Sequence, residues 1–535
     1  PAASVAQDAP ADNRYRTGDT YLQVQTVETD VVARTATLDV RWDASWRDAE
    51  NWDAAWIVLK GRRTEGPMAP LRVRGTPTVV ANRSTDGAEA AVHVPDDRSG
   101  FSVHRADLGQ GDNHWRLRVS WTAVEGGSAD ALQGVDALGV EMVRVPTGPF
   151  ELGTTRSLTA RKEADEAGWL RGTPPAPLSA LFQVDPDGED LFGGPYRVTS
   201  EDPIPIGTDA GDLYYMDARF LDDSFSSGDQ RGPLPAAFPK GYAGFYQMKY
   251  EVTERQYVAF LNGLSPEQAR QRVPADSVTA TPRGSRYTIS RVDGRYQTRR
   301  PHRAAAYLSW QDAQAWADWM GLRPMTELEF EKSARGSESA RFREFVWGVN
   351  EAGADTNFER DRRVLKPDGT LATAEDGDER TDGNVHVQIR PTRGVENLCT
   401  KQGDNYYPGY PACRSMEGDE ANGWGPLRVG IHGVGSGGDR IAAGAGYYGA
   451  MDLGGNLLEQ VVPLGHPQGR AFRGSHGDGR LNPQARATNL DWHADADTLV
   501  YGHRGAGWPS HPNHARTADR FGALQRGGIR RSPAV

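Results

Sequence analysis

Cysteine is nearly absent: the 535 residues include two, Cys399 and Cys413. Two thiols exclude a disulfide-rich scaffold and a four-cysteine zinc site, and one bridge is the most they can form. Long hydrophobic runs are missing too. No stretch approaches the roughly 18 consecutive apolar residues that cross a membrane as a helix, so no transmembrane segment is expected. The opening residues PAASVAQDAPADN hold neither an initiator Met nor an apolar signal core, which reads as an exported chain with its signal peptide removed. Basic charge is in deficit, with 61 Lys and Arg against 72 Asp and Glu and a formal net charge of −11, so the electrostatic footprint of a nucleic-acid binder is lacking. No G-x-S-x-G elbow, P-loop or strand-linked G-x-G-x-x-G occurs, which removes the common hydrolase, nucleotide and dinucleotide signatures.

What is present describes a folded, loop-rich protein. Hydrophobic residues at 37% and charged residues at 25% suit a soluble globular chain on the polar side, and 62 glycines with 34 prolines require much of it to be loop. The length suggests two or three domains. A short tail, 1–18, precedes TYLQVQTVE, TATLDVRWD, AAWIVLKGR, PLRVRG, AEAAVHV and HWRLRVSW, whose period-two alternation marks half-buried strands. Leu38, Val40 and Trp42 share one face of their run, as do Trp115, Leu117, Val119 and Trp121. The expected fold of 19–130 is an all-β, Ig-like antiparallel sandwich. Trp42, Trp46, Trp52, Trp56, Trp115 and Trp121 are expected in its core, with a sugar-binding aromatic platform as the sharper alternative. The small, polar GGSADALQG points to a boundary between Gly126 and Val140.

Beyond the boundary the pattern becomes α+β. Thr154 to Lys240, rich in Pro, Gly and Asp, reads as a long ordered insertion. Thr253 is placed to cap a helix through Leu261. Ser309 and Asp312 form an S-x-x-D box before a helix stopped by Gly321 and Pro324, and Thr326 and Glu329 repeat the device with Gly336 as the stop. Glu327, Glu329 and Glu331 cannot share one helical face, and capping or solvation is their expected role. After Trp347 no helix of ordinary length is visible.

The blocks MVRVPTGPFELG, MKYEVTERQYVAFLN, YLSWQDAQAWADWMGLRPMTELEFEKSARG, FVWG, YYGAMDLGGNLLEQ, HRGAGW and ARTADRFGALQRGGIRR, in this order from Ala137 to the C-terminus, resemble the formylglycine-generating enzyme, or sulfatase-modifying factor, family. The resemblance implies a loop-rich C-type-lectin-like domain over 137–535. It also implies an oxidase that holds copper on two thiolates a few residues after the HRGAGW-like block, since Cu(I) prefers sulfur. HRGAGWPSHPNHARTADR has no cysteine, and Cys399 and Cys413 lie about a hundred residues upstream, so the chain is expected to be a noncatalytic member, a pseudoenzyme without copper. His503, His511 and His514 are a conceivable metal cluster, with Asp519 the one nearby acid and surface-loop histidines the plainer reading. The family's structural calcium site implies ligation by the side chains of Asp452 and Glu459 and the carbonyls of Gly455 and Leu457; hard oxygens at a glycine-kinked turn suit Ca²⁺. A second family calcium site starts at Asn357. Asn456 is expected to hold a turn. Export implies a Cys399–Cys413 disulfide.

The sequence therefore points to a noncatalytic extracellular or cell-surface scaffold with structural calcium, a homo-oligomer or subunit of a surface assembly or filament. The alternatives are a C-type-lectin-like binder of a glycan or protein, using aromatics such as those of GDNYYPGYP, and a metal-dependent oxidase of the family.

Overall fold

The computed structural model describes residues 12–18, 20–123, 132–155, 179–187, 193–217, 229–273, 287–349, 364–365, 380–381, 426–434, 436–492, 500–507, 512–520, 522–523 and 525–526. Eight strands form the N-terminal region: β1 (Gln23–Asp30), β2 (Thr35–Arg47), β3 (Asp53–Arg63), β4 (Ala69–Asn82), β5 (Ala90–His93), β6 (Phe101–Arg105), β7 (Gly109–Ala123) and β8 (Leu132–Val145). Their pairing order is β1-β2-β7-β4-β3-β6-β5, with β8 lying along β3. All these pairs are antiparallel. The alternation in the sequence is the cause of the core. Leu38, Val40 and Trp42 of β2, Trp115, Leu117, Val119 and Trp121 of β7, and Ile57 and Leu59 of β3 meet in one apolar cluster. Trp42, Trp115 and Trp121 are buried in it as expected, with Trp42 meeting Trp115 edge to face at 5.5 Å, whereas Trp46 is buried in a separate cluster with Phe330 and Trp347 of the second half. Trp52 and Trp56 are only partly covered.

Strand β3 departs from simple alternation. Its run AAWIVLK is apolar on both faces and almost wholly buried, the pattern of a strand covered on both sides. One face joins the N-terminal core and the other, through Val58, joins a larger core that includes Phe260, Trp316 and Trp319. Trp56 Nε1 donates to the Met320 carbonyl at 2.8 Å, and Lys60 donates to the carbonyl of Trp319. β8 runs through the segment where the composition changes. Its residues pair with β3 from Leu132 to Val143, while Met142 to Val145 also pair with β9 (Phe245–Met248). Hydrogen bonding is thus continuous from the N-terminal sheet into the second half.

In the second half, the described part of the 154–240 stretch is ordered. Ser179–Gln183, Leu213–Asp217, Ile204–Ile206 and Gly232–Leu234 form a four-stranded sheet whose Leu181, Ile206, Leu213 and Leu234 enter the larger core. Helix α1 (Glu254–Gly263) is capped by Thr253 and Gln256, α3 (Trp310–Trp319) by Ser309 and Asp312, and α4 (Glu327–Arg335) by Thr326 and Glu329, each a reciprocal capping box. The sequence reading missed α2 (Pro266–Arg272). Its Ser265 and Gln268 box and its Pro at the first turn were visible signals, but seven residues are too few to show a clear apolar period. A small sheet follows: β10 (Met325–Thr326) lies parallel to β11 (Glu459–Val462), which pairs antiparallel with β12 (Val500–Arg504), and that with β13 (Gln525–Arg526). Among the described residues no helix is long and apolar enough to cross a membrane.

Candidate functional site

The glutamates of α4 are buried rather than solvated. Glu329 closes the capping box and takes Arg323 in a two-pronged pair at 2.5 and 2.8 Å. Glu327 and Glu331, four residues apart and so on one face, reach the C-terminal segment. Arg520 pairs with both, Arg504 lies 3.2 Å from Glu331, and Arg335 joins Glu331 to Glu344 at 3.3 and 2.7 Å. Burial pulls the Arg520 guanidinium down to about 9. Arg504 also donates to the Thr517 carbonyl at 2.5 Å, and Thr517 N donates to the Glu344 carbonyl at 2.9 Å. Arg504 of HRGAGW and the described residues Thr517 and Arg520 after it are therefore held by ion pairs and backbone bonds. In the same stretch burial lowers His503 to about 4, keeping its ring neutral against Tyr501. His514 Nδ1 sits 3.1 Å from Asp519. His511 lies outside the described residues, as do Asn357, Cys399 and Cys413.

The second cluster is built on the loop before β11. Asp452 and Asn456 adopt left-handed backbone with φ of 61° and 59°, and Gly455 has φ of 131°, three positive-φ residues within five. Asp452 accepts from Gly430 N at 2.6 Å. Asn456 accepts from Leu427 N at 2.8 Å and donates to Glu251 at 2.5 Å, so its side chain ties two distant segments to this loop rather than holding the turn itself. Leu457 N also donates to Glu251, at 2.7 Å. Glu251 thus brings a third carboxylate to Asp452 and Glu459. Burial, then the charges of Asp452 and Glu459, hold Glu251 well above the usual carboxylate range. Burial raises Asp452 to about 6, and burial plus Asp452 raise Glu459 to about 8. Three mutually repelling carboxylates in a poorly solvated site favour either protons or a hard cation. Among the described residues, however, no three His, Cys, Asp or Glu side chains converge closely enough to hold an ion by themselves. Backbone carbonyls would have to complete any shell.

Sequence reasoning missed Glu251. It stands in MKYEVTERQ between apolar Tyr250 and Val252, a carboxylate in a half-buried stretch, but its partners are about 200 residues away.

Residues 206–396 match the family model of the sulfatase-modifying factor enzyme 1-like domain. The chain carries a sulfatase-modifying factor domain. The match takes in α1 to α4 with their capping boxes. The YYGAMDLGGNLLEQ and HRGAGW blocks lie C-terminal to it but are joined to it physically, because β11 and β12 complete the sheet begun by β10 and Arg504 and Arg520 lock onto α4. No curated protein matches the chain.

Proposed function

We propose that this sulfatase-modifying factor domain is noncatalytic and serves, with an Ig-like sandwich at its N-terminus and a C-type-lectin-like core, as an extracellular or cell-surface scaffold and a subunit of a surface assembly. One observation carries the noncatalytic reading. The stretch after HRGAGW, where the resemblance would put two copper-binding thiolates, has no cysteine, and its Thr517 and Arg520, like Arg504 of the block itself, are engaged in holding the fold. Without sulfur donors Cu(I) has no suitable ligand there. Incubated with a sulfatase-type cysteine peptide, copper and oxygen, the purified chain is expected to give no formylglycine by mass spectrometry. Turnover above a no-protein control overturns the reading.

The same proposal gives the carboxylate cluster a structural Ca²⁺. Asp452 and Glu459 would supply side-chain oxygens and Gly455 and Leu457 carbonyls; bound there, the ion would neutralise charges that otherwise repel. The donor chemistry fits, since oxygen donors including two or three carboxylates suit a hard divalent cation. Calcium at 100-fold its Kd is then expected to stabilise the fold by about 2.7 kcal/mol, by mass action on the folded state. Chelation should lower the melting temperature, Ca²⁺ should restore it, and Asp452→Ala should abolish the response. A melting curve indifferent to chelator would leave protons, not calcium, as the neutralising partner.

A further inference from the structure

Arginine and aromatic side chains alternate in one row across neighbouring strands. Arg47, the last residue of β2, bridges to Trp52, which leads into β3; Arg144 of β8 donates its N–H to the Trp52 carbonyl at 2.8 Å and stands in register with Tyr246 of β9. Residues in register on adjacent strands share a face and meet. The Arg47 and Arg144 guanidiniums accordingly lie over the Trp52 ring at 4.8 and 5.5 Å, and Arg144 also lies 6.0 Å from the Tyr246 ring. The Trp52 indole N–H donates to the Tyr246 hydroxyl at 2.9 Å, which fixes the two rings. Arg47 and Arg144 flank Trp52 from opposite sides, so two strand spacings, about 10 Å, separate them.

No carboxylate answers these cations: among the described residues neither Arg47 nor Arg144 takes part in an ion pair, whereas Arg105 and Arg116 of the same sheet each hold an aspartate. In the turn beside Arg47, Asp48 pairs with Arg14, and Glu50 is exposed without a described ion pair. Arg47 Nη1 donates to the Arg105 carbonyl at 2.7 Å, and Arg144 Nη1 to the Val145 carbonyl. Nη2 of each arginine makes no hydrogen bond among the described residues, and neither atom is closed off from solvent as Arg47 Nε is. All four side chains of the row are half-buried. A guanidinium held over a ring by its face keeps its N–H edge for an oxyanion.

We propose that this row docks an acidic polysaccharide, an extended sugar polymer bearing sulfate or carboxylate groups, with Arg47 and Arg144 each taking one oxyanion. Two cations about 10 Å apart suit a sparsely charged polymer. Duplex DNA carries one charge per about 1.7 Å and would meet repulsion from a chain of net charge −11. An extended peptide docks by pairing with a free strand edge, and Trp52 and Arg144 have strand neighbours on both sides. Side-chain donors alone are left to do the recognising. The row lies apart from the suggested calcium ligands, and the proposal holds whether or not the domain is catalytic.

Calorimetry on the full chain at pH 7 and low salt, with dextran sulfate, hyaluronate, neutral dextran, poly-L-glutamate and duplex DNA, tests it. At least one of the two acidic polysaccharides is expected to bind about tenfold more tightly than neutral dextran, the peptide or the duplex, the difference a charged hydrogen bond makes. Which of the two binds more tightly tells sulfate from carboxylate. Arg47→Gln and Arg144→Gln should each weaken that ligand about tenfold, by the lost bond. Arg118→Gln, which alters an exposed arginine of β7 in register with Thr37, should leave binding unchanged. Arg144→Lys keeps the cation but lacks the fork, and should weaken binding severalfold; it tests the site even where Arg144→Gln fails to fold. Neutral dextran, poly-L-glutamate or DNA binding as tightly as the better acidic polysaccharide, or no saturable binding by either, overturns the proposal. So does an equal loss in Arg118→Gln and Arg144→Gln, or binding unchanged in Arg144→Lys.

Discussion

Glu331→Ala is expected to cost about 3–5 kcal/mol of stability, the usual penalty for removing one partner from a buried ionic cluster. Glu331 accepts from Gly153 N at 2.8 Å and faces Arg335, Arg504 and Arg520, all within 1% of full burial. Its loss leaves three desolvated guanidiniums to share Glu327 and Glu344. Water cannot replace the missing charge, so the cost comes from the uncompensated cations rather than from the bonds themselves. Glu267 pairs with Arg270 at the surface, where both are more than half exposed, and Glu267→Ala should shift stability by no more than about 0.5 kcal/mol. Urea unfolding followed by circular dichroism separates the two. Equal midpoints for both variants would mean that leaving these guanidiniums uncompensated carries no penalty.

Trp42→Ala should also cost about 3–5 kcal/mol, as large-to-small changes in a packed core do. Trp42 is fully buried against Trp115, and its indole N–H donates to Asp53 at 2.6 Å. Trp42→Phe separates packing from donation, because it keeps an aromatic ring and removes the N–H. Burial already raises the Asp53 carboxyl to about 6. With the folded value above the unfolded one, the folded state takes up a proton as pH falls from about 6 towards 4. The stabilisation from that proton is present at low pH and lost as pH rises through 6. The ionised form needs the indole donor most, so the cost of Trp42→Phe should be greater at pH 8 than at pH 5. A pH-independent cost would place the effect in packing alone.

The helix starts were legible because a capping box is a local device: Thr253 and Gln256, Ser309 and Asp312, and Thr326 and Glu329 satisfy one another three residues apart, whatever surrounds them. The strands were legible because a pleat buries every second residue, as Trp115, Leu117, Val119 and Trp121 show. The role of the α4 glutamates was less so. Their spacing separates Glu329 from Glu327 and Glu331, but nothing within the helix announces that Arg504 and Arg520 will fold onto that face from more than 170 residues away. The carboxylate cluster was legible in two of its three members, since Asp452 and Glu459 are seven residues apart, on the loop and at the start of β11, whereas Glu251 arrives on the connector between β9 and α1.

By itself, then, the sequence determined what short-range physics decides: alternation for the strands, caps for three helices, the lack of cysteine after HRGAGW, and the glycine-kinked loop around Asp452 and Asn456. Tertiary structure alone decided which face of β3 meets which core, that β8 carries strand pairing across the change in composition, and that the α4 glutamates are buried counter-ions. Each of these depends on residues brought together from distant parts of the chain, and pairing of that range is set by packing, which no local spacing encodes.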